Sequence, residues 1–212
     1  MQDINLYFDF LSPYSYLAWT WVRENFKNYR FNLIPVPLGS LIRHYETKGP
    51  MEIPPKRNYL FKNCLRYAGL NGIIFNPPKI LPFNSLYSLR ISLKENSGED
   101  QFKIVDILFR LGWEKGKDLG DEDLIVKELL SFGIDGVKLL EKVGTSGTRR
   151  ILKKNVSNAL ANGIFGVPTF IVGDELFWGN DSIEHLKLFL NGRDPLPKEK
   201  FEEFEKRSFT VF

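Results

Sequence analysis

One cysteine and two histidines among 212 residues leave little material for several common kinds of site. Cys64 alone cannot close an intramolecular disulfide, and it stands at helical spacing among Leu60, Phe61, Tyr67 and Ala68, where a small packed core thiol is expected. His44 and His185 are distant in sequence and have no clustered Asp, Glu or Cys around them, so no metal centre is expected and both are read as surface residues. The GxSxG turn of a serine hydrolase is absent. So is any run of about 18 apolar residues, the length needed to span a bilayer. The opening "MQDINLYFDF" lacks the basic flank and small-residue cleavage site of a secretory signal, which makes a cytoplasmic location the expectation. Basic residues, 29 against 26 acidic, are spread along the chain and give a net charge of only +3, without the stripe that a nucleic-acid backbone requires. What is present is apolar: 43% hydrophobic with 14% aromatic residues supplies one good core, or one core carrying an inserted subdomain, and excludes a disordered chain.

The rhythm of the chain predicts its organisation. Ile4 to Phe10 is rich in strand-forming residues, and "SPYSYLAWTWVRENF" follows at once with a serine before Pro13 and apolar positions at helical spacing. Arg30 to Leu38, "RFNLIPVPL", returns to strand chemistry limited by Pro35 and Pro37. A dinucleotide-binding crossover also begins β-α-β, but its first turn needs glycines, and Leu11-Ser12-Pro13-Tyr14 has none. From about Leu41 a loop rich in proline and charge leads to a helix starting near Pro55. Four more helical segments are then predicted, opened by Asn84, Asp100, Asp121 and Asp135 as capping residues. No strand is expected between residues 41 and 148. A further helix, "GTRRILKKNVSNALANGIFG", precedes a strand-turn-strand in "VPTFIVGDELFWGND", and "DSIEHLKLFLNG" reads as the closing helix. The tail from Pro195 is charged, with Phe201, Phe204 and Phe209 expected to tuck against the body.

The order β-α-β, helices, α-β-β-α resembles an α/β thioredoxin fold with an inserted all-helical domain, the DsbA-like arrangement. On that resemblance residues 1–40 and 149–212 form the thioredoxin-like part and 41–148 the insert. "SPYS" stands where thioredoxin-like oxidoreductases carry Cys-x-x-Cys, and "GVPTF" where they carry a cis proline facing the site. Three stretches, "LYFDFLSPYSYLA", "PPKRNYLFKNCLRYA" and "GVPTFIVGDELFWGND", are together similar to the kappa-class glutathione transferases and their relatives the 2-hydroxychromene-2-carboxylate isomerases. The resemblance implies glutathione as cofactor, a small, electrophilic, aromatic substrate of the kind met in aromatic catabolism, and a homodimer. It implies Ser12 as the catalytic group. Val167, Pro168, Trp178, Gly179, Asn180, Asp181, Tyr14 and Lys56 would hold glutathione or its partner substrate. The asparagine that family members place in the loop before Asn58 is missing here.

The chemistry agrees with that assignment. A free thiol has a pKa of about 8.5, so an enzyme using glutathione as nucleophile must favour its thiolate. Ser12 at a helix start can donate its hydroxyl hydrogen to the sulfur while unpaired amides add positive field; such charge-assisted bonds contribute roughly 1.5–3 kcal/mol each. Serine can polarise a sulfur but cannot exchange disulfides. The plainer reading of Ser12 is an N-cap, and Ser15, one turn further in, is expected to bond backbone. Tyr14 either touches a ligand or covers the helix start. Val167 would pair its backbone with the cysteinyl unit, and Asn180 and Asp181 would hold the γ-glutamyl group at a helix start they also cap. Arg43, Lys48 and Lys56 in the 43–57 segment are candidate partners for carboxylates, with a solvated surface charge the commoner fate of the first two. His44 near this segment is a weaker base candidate. The aromatics Tyr45, Tyr59, Phe61, Phe83 and Tyr87 suit either a pocket for a flat acid or an ordinary core. Three functions therefore stand side by side: a glutathione-dependent isomerase or transferase, a thiol-disulfide oxidoreductase that Ser12 and Ser15 forbid, and a non-catalytic binding module on the same scaffold.

Overall fold

The structure, a computed structural model, describes residues 2–207. Its sheet has four strands in the order β2-β1-β3-β4: β1 (Asp3–Phe8), β2 (Arg30–Pro35), β3 (Thr169–Val172) and β4 (Glu175–Trp178). β1 and β2 run parallel, Asp3 opposite Arg30 and Phe8 opposite Pro35, joined by α1 (Pro13–Asn25). β3 lies antiparallel to both β1 and β4, with a tight turn at Gly173 (φ 60°) between the last two.

Alternation along β1 decides which residues enter which core. Ile4, Leu6 and Phe8 point into the large apolar cluster, and Tyr7 points the other way into a smaller one with Val36, Leu41, Ala159, Ile164 and Val167. Both faces of the sheet are thus covered. Every element between β2 and β3 is helical: α2 (Leu38–His44), α3 (Pro54–Leu70), α4 (Leu86–Ile91), α5 (Lys94–Ser97), α6 (Gln101–Trp113), α7 (Glu122–Ser131), α8 (Gly136–Val143) and α9 (Ser146–Ala161), with short 3-10 turns at 50–52 and 98–100. The expected absence of a strand there agrees with the structure. The chain then closes with α10 (Ile183–Leu190) and α11 (Lys198–Glu205).

α6 joins the helices to the thioredoxin-like sheet. Phe109 meets Phe8, Phe10 and Trp19 with ring centroids 4.7–5.7 Å apart, and Trp19 Nε1–H donates to Asp106 at 2.9 Å. Arg23 of α1 lies 3.3 Å from Glu114 and 3.6 Å from Asp106, which adds a partly exposed ionic tie worth at most about 1 kcal/mol per pair. Burial of the aromatics carries far more.

Several expectations are corrected. β1 ends at Phe8, two residues early, because Asp9 and Phe10 turn toward α1. β2 stops at Pro35, and Pro37 is the N-cap of α2, a helix in place of the expected start of a loop. No local cap announces α2; its Leu38 N–H is satisfied by Asp9, 29 residues away. Asp121 and Asp135 cap α7 and α8 as expected. Ser85 stands at the cap position of α4 with Asn84 accepting the Leu86 N–H, and Asp100 caps α6 without a side-chain bond. The tail from 198 forms α11 with no buried residue; Phe201 and Phe204 are exposed instead of tucked, and Phe209 lies outside the described residues. Charge dominates α11 and leaves it too few apolar groups to bury.

Candidate active site

The turn after β1 is knotted by Asp9. Its backbone oxygen accepts the Ser12 N–H at 3.1 Å, Oδ1 accepts the Leu11 N–H at 3.0 Å, and Oδ2 accepts the Leu38 N–H at 2.7 Å. One side chain therefore sets the approach to α1 and the start of α2. Asp9 is 1% exposed, and burial pushes its carboxyl pKa above the usual range, with the Leu11, Leu38 and Ser85 hydrogen bonds opposing. A raised folded-state pKa means the native protein holds a proton that the unfolded chain has released. Asp9 should therefore withdraw stability as pH rises from the ordinary carboxylate pKa to its own raised value. The stability of wild type relative to Asp9→Asn, measured by urea denaturation across that window, is expected to fall with rising pH; a flat difference would remove this account of Asp9.

Ser12 follows in extended conformation (φ −86°, ψ 115°) as the N-cap of α1, with Pro13 at the first helical position. Its Oγ accepts the Ser15 N–H at 3.1 Å, and its hydroxyl donates to the Val167 carbonyl at 3.3 Å, 155 residues away. The N-cap reading of Ser12 thus holds, and its hydroxyl hydrogen is directed at the backbone beside the cis proline. At 4% exposure it is no solvated cap. Ser15 differs from expectation. Its amide donates to Ser12 Oγ, but its own hydroxyl is buried without a hydrogen-bond partner among the described residues.

Residues 165–181 form the facing wall. The Val167–Pro168 bond is cis as expected; a second cis bond, Leu81–Pro82, was not foreseen. Pro168 O accepts the Gly179 N–H at 2.9 Å, so "GVPTF" and "WGND" are held together directly. Gly166 lets Trp178 close over the backbone: a Cβ there would stand 2.6 Å from Trp178 Nε1. Trp178 is 53% exposed and meets the ring of Phe165 edge-on at 4.9 Å. Gly179 (φ 90°) adopts a conformation closed to other residues, turning the chain so that Asn180 is buried and Asp181 stays exposed.

The third wall comes from α3. Tyr14, Pro50, Pro55, Lys56, Tyr59 and Leu60 line a cavity of about 360 Å³. This volume lies in the range of small-molecule sites. Asn63 Nδ2–H donates to the Tyr14 hydroxyl oxygen at 3.1 Å, a partner sequence reasoning missed. Burial raises the Tyr14 pKa, and the Asp181 charge adds to it. Cys64 lies behind it, fully buried, its thiol pushed up to about 12 by burial, as a core thiol should be. Of the five aromatics considered for a pocket, Tyr59 alone lines this cavity, and Phe83 is core. Arg43, His44 and Lys48 are exposed and absent from its lining. A second hollow of about 390 Å³ lies at the β2 edge, where Gln101 and Asn155 side chains bond the Leu33 and Pro35 carbonyls; its lining has no Ser, Thr, Cys or His and no part of the Ser12 turn. Among the described residues no cluster of three or more metal-ligating side chains occurs, and no helix is long and apolar enough to cross a membrane.

A serine at the start of α1, a cis proline beside the carbonyl that accepts its hydrogen, and a mixed sheet with helices on both faces are the arrangement of a thioredoxin-like fold without redox sulfurs. The chain belongs to the DSBA-like thioredoxin domain family, whose profile matches residues 3–191. It is 28% identical to a 2-hydroxychromene-2-carboxylate isomerase of Pseudomonas putida over 188 residues, 85% of this chain and 90% of that protein. It is 26% identical to glutathione S-transferase kappa 2 of Caenorhabditis elegans over 205 residues, covering 88% and 91% of the two chains. A solved 2-hydroxychromene-2-carboxylate isomerase superposes with a TM-score of 0.81 at 24% identity, covering 97% of this chain and all of that one. These relatives are enzymes by name, and the shared fold is the DsbA-like one expected from the sequence.

Proposed function

We propose that the protein is a glutathione-dependent isomerase in which Ser12 holds the glutathione sulfur as a thiolate for reversible addition to an activated double bond. The observation that carries this reading is the Ser12 hydroxyl, donated across the site to Val167 O at a long 3.3 Å. Turning that hydrogen onto a bound thiolate exchanges a weak neutral bond for a charge-assisted one, worth roughly 1.5–3 kcal/mol, or about one to two pKa units of thiol acidification. The α1 N-terminus adds to it, since the Tyr14 N–H makes no hydrogen bond to another described residue. Val167 offers its backbone to the cysteinyl unit, while Trp178, Gly179, Asn180 and Asp181 surround the γ-glutamyl end. Lys56, at the cavity mouth with Tyr59, meets a carboxylate of a flat aromatic substrate. Names of relatives support both isomerase and transferase; addition of the thiolate is common to the two. Glutathione is expected to raise the melting temperature, by an amount equivalent to about 2.7 kcal/mol at a hundredfold excess over Kd, and to show thiolate absorbance at neutral pH when bound. A protein that binds glutathione only as the neutral thiol, or not at all, would refute the proposal.

A further inference from the structure

The Tyr14 hydroxyl is only half satisfied. Its oxygen already accepts a hydrogen bond from Asn63 at 3.1 Å, and a phenol in that position keeps its own hydrogen for another acceptor. Among the described residues none takes it. The ring lines the 360 Å³ cavity beside Tyr59 and Lys56, two residues along the chain from Ser12. Asn63, Tyr59 and Cys64 of α3 and Asp181 lie around it, with Lys56 lining the same cavity; burial raises the phenol's pKa, so it keeps a hydrogen to donate while its oxygen accepts from Asn63.

We infer that Tyr14, presented by Asn63, is the hydrogen-bond donor to the oxyanion that forms when the thiolate adds to a conjugated carbonyl compound. This rests on the function proposed above and supplies what that reaction lacks. A sulfur lone pair forms the C–S bond at the β-carbon, and the C=C π pair moves to give an enolate with its charge on the carbonyl oxygen. Tyr14 hydrogen-bonds that oxygen and keeps its proton. After rotation about the new single bond, the enolate pair restores C=C and the C–S pair returns to sulfur, so no oxidant, reductant or net proton is needed. Asn63 is a positioning residue, acting through Tyr14 alone.

The test compares Tyr14→Phe with wild type on two electrophiles, cis-benzylideneacetone and chlorodinitrobenzene. Loss of one oxyanion donor typically costs about 100- to 1,000-fold in kcat, and a loss near the lower end is expected for the enone. Chlorodinitrobenzene places the developing charge on ring and nitro groups, so a loss under about threefold is expected there. Glutathione thiolate absorbance and the glutathione-induced melting shift should match wild type in Tyr14→Phe. Equal losses on both electrophiles, or none on the enone, with the thiolate intact, would overturn the inference. Missing thiolate in wild type would instead refute the proposed function. Asn63→Asp supplies the second readout: its carboxylate takes the Tyr14 hydrogen, so activity relative to wild type should be low at neutral pH and recover as pH falls and the carboxyl protonates. A ratio independent of pH would leave Asn63 with a packing role only and overturn its part.

Discussion

Replacing Ser12 with alanine is expected to raise the pKa of bound glutathione by about one to two units and to cut turnover at neutral pH about 10- to 100-fold through the lost thiolate fraction. The same change removes the side-chain acceptor of the Ser15 N–H, a cap worth about 1 kcal/mol of stability. The two effects separate in measurement. Thiolate absorbance titrated against pH reports the first, and urea denaturation without glutathione reports the second. Should Ser12→Ala bind glutathione with an unchanged thiol pKa, the sulfur is held elsewhere and the Ser12 assignment fails. Ser12→Cys is the complementary experiment. A cysteine at this helix start gains thiolate character, attacks oxidised glutathione, and keeps one half as a mixed disulfide while releasing the other as a thiol. Mass spectrometry should find that adduct at residue 12 and not at buried Cys64.

Trp113 is expected to carry the largest single share of stability. It is fully buried at the end of α6, stacks on Phe75 at 5.6 Å and Tyr16 at 6.3 Å, and donates its Nε1–H to the Phe10 carbonyl at 2.8 Å. Trp113→Ala should cost about 3–5 kcal/mol, a large fraction of the stability of an ordinary domain. Trp113→Phe retains most of the apolar volume but leaves Phe10 O unpaired in a dry environment, a cost of about 1–3 kcal/mol. Because Phe10 sits two residues before Ser12, the Phe variant should also weaken glutathione binding. Denaturation midpoints within error of wild type for Trp113→Phe would show that the Phe10 carbonyl finds another partner.

Much of the fold was legible along the chain. The strand-forming composition of β1, the Ser-Pro start of α1 and the Asp caps of α7 and α8 are local signals, written by near neighbours, and the structure follows them. α2 was not legible, because Pro37 offers no capping side chain and the carboxylate that satisfies Leu38 comes from Asp9 on another element. Asn63 escaped for the same reason: on α3 it is one polar residue among several, and only the packing of α3 on α1 brings it to Tyr14, 49 residues away. Asp9 did leave a signal, a lone acid inside the apolar run "FDF", a charge that a buried segment carries only when something pairs with it.

Oxygen in place of both sulfurs is a property of the sequence by itself, and it decided that no disulfide exchange can run from this turn. Composition likewise supplied enough apolar side chain for a substantial core, and its one cysteine excluded an intramolecular disulfide. What only the tertiary structure decided is where the hydrogens go: Ser12 to Val167 across 155 residues, Asn63 to Tyr14, Leu38 to Asp9. Local propensity is set by a residue and its near neighbours, whereas a hydrogen bond requires two groups within about 3 Å, and for groups far apart in the chain only the completed packing supplies that distance.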